Sequence, residues 1–305
     1  MEASIIIPFY NAKKHLTKNY VHIEELLNNI QNIEVIYIDD ASSDEGFEYL
    51  KLKVRKNERI KLFKNKTNKG PGIARNLGLK KANGQKIIFL DVDDRLDIKE
   101  LKVFLKKFKK STRNFFFNYK IRPKNINYFK KNPVNKSYKK NLKDFLINTN
   151  DKNVIFCCLN KNFLLKNKIT FSSGFHEDVC YKFKLFFFSK KPFKKYNKIL
   201  YHKFDNKSSI TGKNFNQKNL LGFIKAWQDI GRFIKIKKLI FLKKEYQFRL
   251  RGEYISLYNK LVRNRCKKKH LILLLNIKFL PLINKKFVIS SKKDNQLSKL
   301  LLKHE

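Results

Sequence analysis

Acidic side chains are in short supply in this sequence: 25 Asp and Glu stand against 70 Lys and Arg over 305 residues, a formal net charge of +45. Glycine (10), proline (6), methionine (1) and tryptophan (1) are scarce too. So little Gly and Pro excludes a collagen-like or linker-dominated chain, and 42% hydrophobic residues excludes a disordered one. Four cysteines, Cys157, Cys158, Cys180 and Cys266, have neither CxxC spacing nor paired histidines. Neither a zinc site nor a disulfide framework is expected from them, and a reducing compartment fits. Long apolar runs are missing as well. HLILLLNIKFLPLI (270–283) comes nearest, but Lys278 and Pro281 interrupt it, so no membrane-spanning helix is expected. The opening MEASIIIPFYNAKKH has no basic stretch before its short apolar run, which breaks at Pro8, and predicts no leader peptide.

What is present in excess is positive charge interleaved with Phe, Ile and Asn. Compositional drift accounts for the larger share, and the remainder makes a field that attracts anionic partners: a phosphate-bearing substrate, an acidic membrane surface or nucleic acid. The length suits one large domain, or one domain with an appendage.

The first hundred residues alternate short β-rich runs with helical spacing, which predicts a sheet of largely parallel strands flanked by helices. Strands are expected at 3–9, 33–39, 60–65 and 86–91, with helices near 16–30 and 45–55 and in the segment 68–84 that ends on Gly84. Further strands are expected at 113–121, 153–160 and 194–204, with an irregular Lys/Asn-rich stretch before 153 and an aromatic amphipathic helix within 171–188. Beyond about 213 only helical spacing remains. In such sheets ligands sit beyond the carboxyl ends of the strands. The scarce acids collect there: Asp39 and Asp40 after the second strand, then Asp91, Asp93 and Asp94 in FLDVDD after the fourth.

Strand side chains alternate, so Asp91 and Asp93 project to the same side. Two carboxylates so placed suit a divalent cation, because Mg²⁺ binds through one or two carboxylates plus substrate phosphates. Helix capping is the simpler reading of an acid before IKELKVFLKKF, and Asp97 suffices for it.

SIIIPFYN, IDDASSD, NKGPGIARNLGL, FLDVDD and FHED, in this order, resemble the motifs of the family 2 inverting glycosyltransferases. The resemblance covers about residues 3–212. It implies a GT-A fold, a Rossmann-like nucleotide-binding mixed sheet flanked by helices, over residues 1–212. Its nucleotide half would span about 1–110 and its acceptor half about 111–212, followed by a basic amphipathic helical region over 213–305. The resemblance also assigns roles. Pro8 and Tyr10 would line the base pocket, and Asp39 or Asp40 would bind the imide of uracil. Gly70 and Arg75 would approach the nucleotide, with Lys69 a lesser candidate. Asp91 would lie near the ribose beside Val92. Asp93 would be the main ligand of a Mn²⁺ or Mg²⁺ ion, supported by Asp91, with His202 as a third ligand. Asp178 would be the general base and Glu177 would hold the acceptor; helix capping is the alternative for this pair. Lys207, Ser208 or Ser209 would belong to a loop ordering over the donor.

The implied activity is transfer of a sugar from a nucleotide-sugar donor, UDP-linked by expectation, to a glycan or lipid-linked acceptor in bacterial surface polysaccharide or lipooligosaccharide assembly. The enzyme would be cytoplasmic and peripheral at the inner face of the membrane, its basic carboxyl-terminal helices resting on anionic lipid. An ordinary helical appendage is the plainer account of those helices. Two other readings are a nucleic-acid-binding protein, disfavoured because the basic residues follow no recognised motif, and an inactive glycosyltransferase-like scaffold, disfavoured by the intact acids Asp91, Asp93 and Asp178.

Overall fold

The computed structural model describes residues 1–122, 124, 126–128, 138–147, 153–189, 193–204 and 217–263. The expectations for Lys207, Ser208, Ser209, Cys266 and residues 270–283 lie outside the described residues. The chain divides into one unit of Met1–Asn141 with Asn150–Lys213 and another of Leu142–Thr149 with Asn214–Glu305.

In the first unit β1 (Ala3–Phe9), α1 (Lys13–Asn29), β2 (Ile33–Asp39), α2 (Gly46–Val54), β3 (Ile60–Lys64), α3 (Pro71–Lys81) and β4 (Lys86–Phe89) follow one another. β1 pairs in parallel with β2 and β4, and β2 with β3. β1 and β2 are buried along their whole length, which is why each reads as a continuous apolar run rather than an alternating one. Next along the chain come β5 (Arg95–Leu96), α4 (Ile98–Phe108), β6 (Phe115–Arg122), β7 (Ile126–Tyr128), α5 (Tyr138–Ile147), which belongs to the second unit from Leu142 on, and then β8 (Cys157–Asn160), α6 (Lys161–Lys166), α7 (Glu177–Phe188) and β9 (Lys194–Phe204) of the first. The sheet order is β3-β2-β1-β4-β8-β6-β9-β5, with β7 on β6. β8 runs antiparallel to both β4 and β6, so the sheet is mixed. The second unit has α8 (Gln217–Ile236), a 3₁₀ turn (Ile240–Leu242) and α9 (Lys243–Arg263).

Several expectations need correction. The stretch expected to be irregular contains β7 and α5; Leu142 and Leu146 of α5 are buried one turn apart, but lysines around them mask the spacing. The strand expected over 153–160 is confined to Cys157–Asn160, although Val154, Ile155 and Phe156 are buried. Gly84 does not end α3, which closes at Ala82. Its amide instead donates to Ser4 Oγ at 2.8 Å, and a side chain there would strike the backbone of Ala3 and Ser4.

That contact belongs to a buried network at the amino ends of the strands. The Glu34 carboxylate accepts from Ser4 Oγ (2.6 Å), Lys61 Nζ (2.7 Å) and the amides of Asn83 (2.5 Å) and Gly84 (3.2 Å). Burial works against its charge, but the donors outweigh burial and hold the Glu34 carboxyl below its usual range. At the carboxyl end of α1, Arg59 donates to the Leu27, Ile30 and Gln31 carbonyls and satisfies the helix end.

Candidate active site

At the carboxyl ends of the strands, the loops after β1 and β2 are stitched together by side chains. Asn11, at φ 46°, uses the left-handed conformation that Asn tolerates. Its Oδ1 accepts from the amides of Ser43 (2.8 Å) and Asp44 (3.3 Å). Asp39 Oδ1 takes the Ser42 amide at 2.9 Å and its hydroxyl, and Asp39 Oδ2 lies 3.3 Å from Lys64 Nζ. Asp40 accepts from Asn65 Nδ2 (2.8 Å) and from the amides of Lys69 (3.2 Å) and Gly70 (2.7 Å). Both acids thus hold loop backbone. The Gly70 amide is occupied by a carboxylate of the chain itself. Pro8 is buried within β1, whereas Tyr10, just beyond it, is 48% exposed.

The glycine-rich turn before α3 seats the loop that leads into α7 and its acidic first turn. Gly70 has φ 89°, and a Cβ there would lie 3.2 Å from the Gly174 carbonyl oxygen. A Cβ on Gly72 would lie 2.6 Å from Glu177 Cγ and 2.8 Å from the Ser172 carbonyl oxygen, closer than atoms pack. One turn along α3, Asn76 pairs with Phe171 as a strand would: Nδ2 donates to its carbonyl and Oδ1 accepts its amide, both at 2.9 Å. The Phe171 ring stacks on Tyr181 at 3.7 Å and meets Phe89 of β4 edge-on at 5.4 Å, so aromatic packing locks the loop over the sheet.

Arg75 lies at the centre. Its Nη2 is 2.9 Å from Asp91 Oδ1, its Nη1 is 2.5 Å from Glu177 Oε1, and its guanidinium lies over the Phe171 ring at 5.6 Å. Burial opposes its charge, but Asp91, Glu177 and Asp178 together outweigh burial and keep it cationic. One buried cation therefore joins an acid of the FLDVDD loop to an acid 86 positions later in FHED. Its two chelating contacts are what sequence reasoning missed, because Arg75 was expected to reach the nucleotide.

Asp178 occupies the first turn of α7, next to Glu177. The residue before the helix, His176, has φ 60° and makes no side-chain cap, so neither acid is the helix cap. Both still gain from the free amides of a helix start. Burial and then the neighbouring Glu177 charge push the Asp178 carboxyl up to about 7, against the pull of Arg75 and Lys182. Lys182, one turn further along α7, is buried and donates to the Asn153 carbonyl at 3.2 Å. A carboxyl raised to near neutrality populates both protonation states at physiological pH and is a stronger base than an ordinary surface acid, which is almost wholly ionised there.

In the FLDVDD loop, Asp94 is anchored to β9: Tyr201 Oη donates to its Oδ2 at 2.6 Å and the Phe204 amide to its Oδ1 at 2.7 Å. The same Tyr201 oxygen accepts the Asp91 amide at 3.2 Å. Burial, then Asp91 and Asp93, drive the Asp94 carboxyl upward. Asp97 caps α4 by accepting the Glu100 amide at 2.9 Å. His202 is in register with Arg95 on the adjoining strand, and its Nε2 lies 3.4 Å from Asp97 Oδ2. Asp91, Val92 and Asp93 are all half-buried. Among the described residues, no three His, Cys, Asp or Glu side chains form a cluster able to hold a metal ion by themselves. A pair of half-buried carboxylates at a strand end still fits a cation whose remaining ligands are phosphate and water oxygens. Tyr201, Asn76 and Lys182 were not singled out from the sequence, since their partners lie 107, 95 and 29 positions away.

Among the described residues, no helix is long and apolar enough to cross a membrane. The chain is 47% identical over 91 residues to an uncharacterized glycosyltransferase of Haemophilus influenzae, covering 30% of this chain and 36% of that one. It is 42% identical over 92 residues to the Escherichia coli protein WfaP, named a UDP-Glc:alpha-D-GlcNAc-diphosphoundecaprenol beta-1,3-glucosyltransferase, covering 30% and 35%. These matches span little more than a third of the relatives' own length. The fold is similar to the crystal structure of Staphylococcus aureus TarS 1-349 in complex with UDP-GlcNAc, with a TM-score of 0.56 and 20% identity over 75% of this chain and 66% of that one. Residues 4–171, more than half of the chain, match the family described as Glycosyl transferase family 2, and the chain belongs to that family.

Proposed function

We propose that this protein is an inverting glycosyltransferase that moves a sugar from a UDP-sugar to a glycan or lipid-linked acceptor in bacterial surface-glycan assembly. The observation that carries the reading is Arg75, a buried guanidinium bonded both to Asp91 and to Glu177. It ties an acid suited to the donor diphosphate to the acid pair suited to the acceptor. The names of WfaP and of TarS, a poly(ribitol-phosphate) beta-N-acetylglucosaminyltransferase 34% identical over 110 residues, support the substrate classes.

In the proposed step Asp178 takes the proton of the acceptor hydroxyl, whose oxygen bonds to the anomeric carbon. The carbon–oxygen bond to the diphosphate breaks on the opposite face, and its electron pair leaves with UDP. Glu177, held by Arg75, orients the acceptor and keeps the Asp178 proton affinity high. Asp93 and Asp91 would hold Mg²⁺ or Mn²⁺, which would neutralise charge on the departing diphosphate. His202 is turned toward Asp97 and is the weakest member of the proposed ligand set. Pro8, Tyr10 and the loop pinned by Asp39 and Asp40 would form the edge of the base pocket. Residues 1–212 would work at the inner face of the cytoplasmic membrane, with the basic helices beyond them resting on anionic lipid.

The test is to incubate the protein with Mn²⁺ and a panel of nucleotide sugars and to follow slow hydrolysis without acceptor. Hydrolysis of a UDP-sugar is expected; Asp93→Ala should weaken metal-dependent donor binding, and Asp178→Asn should keep donor binding but abolish transfer. Normal transfer by Asp178→Asn overturns the base assignment.

A further inference from the structure

The turn joining α8 to α9 carries the sequence IKIKKLIFLKK, residues 234–244. α8 ends in a Schellman motif: the Leu239 amide donates to the Ile234 carbonyl at 2.9 Å and the Lys238 amide to the Lys235 carbonyl at 3.1 Å. Lys238 takes the left-handed position, φ 51°, that such motifs usually give to glycine. Ile234, Leu239 and Leu242 are buried and fix the turn from within.

The outer side of the turn breaks the usual surface pattern. Ile236 is 74% and Ile240 80% exposed, the two highest values among the exposed large hydrophobics of the described residues. Lys235, Lys237, Lys238, Lys243 and Lys244 are exposed around them. No acid lies between Asp229 and Glu245. Exposed isoleucines gain nothing from water, and a ring of one charge excludes a like-charged partner.

We propose that this turn is a membrane-contact tip: its lysines engage the anionic headgroups of a bilayer, and Ile236 and Ile240 insert among them. The proposal rests on the membrane-peripheral reading above and names the surface responsible. Each lysine near an anionic leaflet multiplies binding roughly fivefold, so five supply the attraction while two inserted isoleucines supply the preference for lipid over other polyanions. Nucleic acid satisfies the charges but offers no apolar layer for the isoleucines.

The test uses the full chain and co-sedimentation with vesicles of phosphatidylcholine alone or mixed with phosphatidylglycerol. Binding is expected only to the mixed vesicles. The pair Ile236→Ser and Ile240→Ser, which leaves net charge unchanged, should lower partitioning by roughly tenfold or more, with thermal midpoint and acceptor-free donor hydrolysis unaltered. Replacing Lys235 and Lys238 by Gln should lower it by roughly twenty-five-fold. If the serine pair sediments like the parent protein, the tip is not the contact, although the membrane reading stands through another surface. If the parent protein ignores phosphatidylglycerol vesicles, both fall. An equal loss of oligonucleotide binding by the serine pair also overturns the proposal, since it marks a face for polyanions in general.

Discussion

Glu34 and Asp178 are acids of the same unit at opposite ends of one sheet, and their surroundings differ in kind. At the amino end, Glu34 is supplied with a hydroxyl, an ammonium and two amides, so the charged form is the comfortable one. At the carboxyl end, Asp91, Glu177 and Asp178 crowd one buried guanidinium, and burial together with the Glu177 charge raises the Asp178 carboxyl to about 7. Donors in excess make a structural acid, and acids in excess make a reactive one. The stable end costs the chain nothing in function. The reactive end stores unfavourable charge, as active sites do.

The largest effect that can break this contrast is on turnover. Asp178→Asn should reduce transfer by about 10²–10⁴-fold and leave urea unfolding unchanged or slightly more resistant; lost stability would make Asp178 a structural acid like Glu34. Arg75→Met strands three acids and should cost about 3–5 kcal/mol in chemical denaturation, the range for removing one partner of a buried pair. Glu34→Gln should cost about 1–3 kcal/mol, because a neutral amide cannot satisfy the same donors, with the kinetics of transfer intact.

Opposite pH slopes sharpen the contrast. The lowered pKa of Glu34 contributes stability present above the ordinary carboxylate pKa and lost as pH falls through the folded value. Asp178 has the reverse sign: its folded value of about 7 lies above the unfolded one, so its contribution is complete in acid and is lost as pH rises toward 7. Melting followed against pH should lose the neutral-side decline in Asp178→Asn and the acid-side decline in Glu34→Gln. Activity should rise with pH through about 7 as the base deprotonates. The smallest expected effect is that Lys182→Met, by removing a nearby cation, moves this rise to higher pH.

Local pattern made much of this legible. The expected strands at 3–9 and 33–39 coincide with β1 and β2, because residues buried on both faces leave continuous apolar runs and turn residues mark their ends, and the strand expected at 194–204 coincides with the partly exposed β9. Asp97 was recognisable as a cap from its place before an amphipathic helix. α5 was not legible, since its lysines outnumber the apolar residues that it buries. Nor was the work of Gly70 and Gly72, whose close approach is to the loop at 172–177, a hundred residues on.

The order of apolar runs and acid-bearing turns was written in the sequence: it determined the alternating architecture and which strand ends would carry charge, because burial and turn chemistry act between near neighbours along the chain. Only the tertiary structure decided that Arg75 would join Asp91 to Glu177, and that Tyr201 would anchor Asp94. Those contacts depend on where distant segments are brought by the sheet, and an ion pair leaves no periodicity in sequence from which its partner can be read.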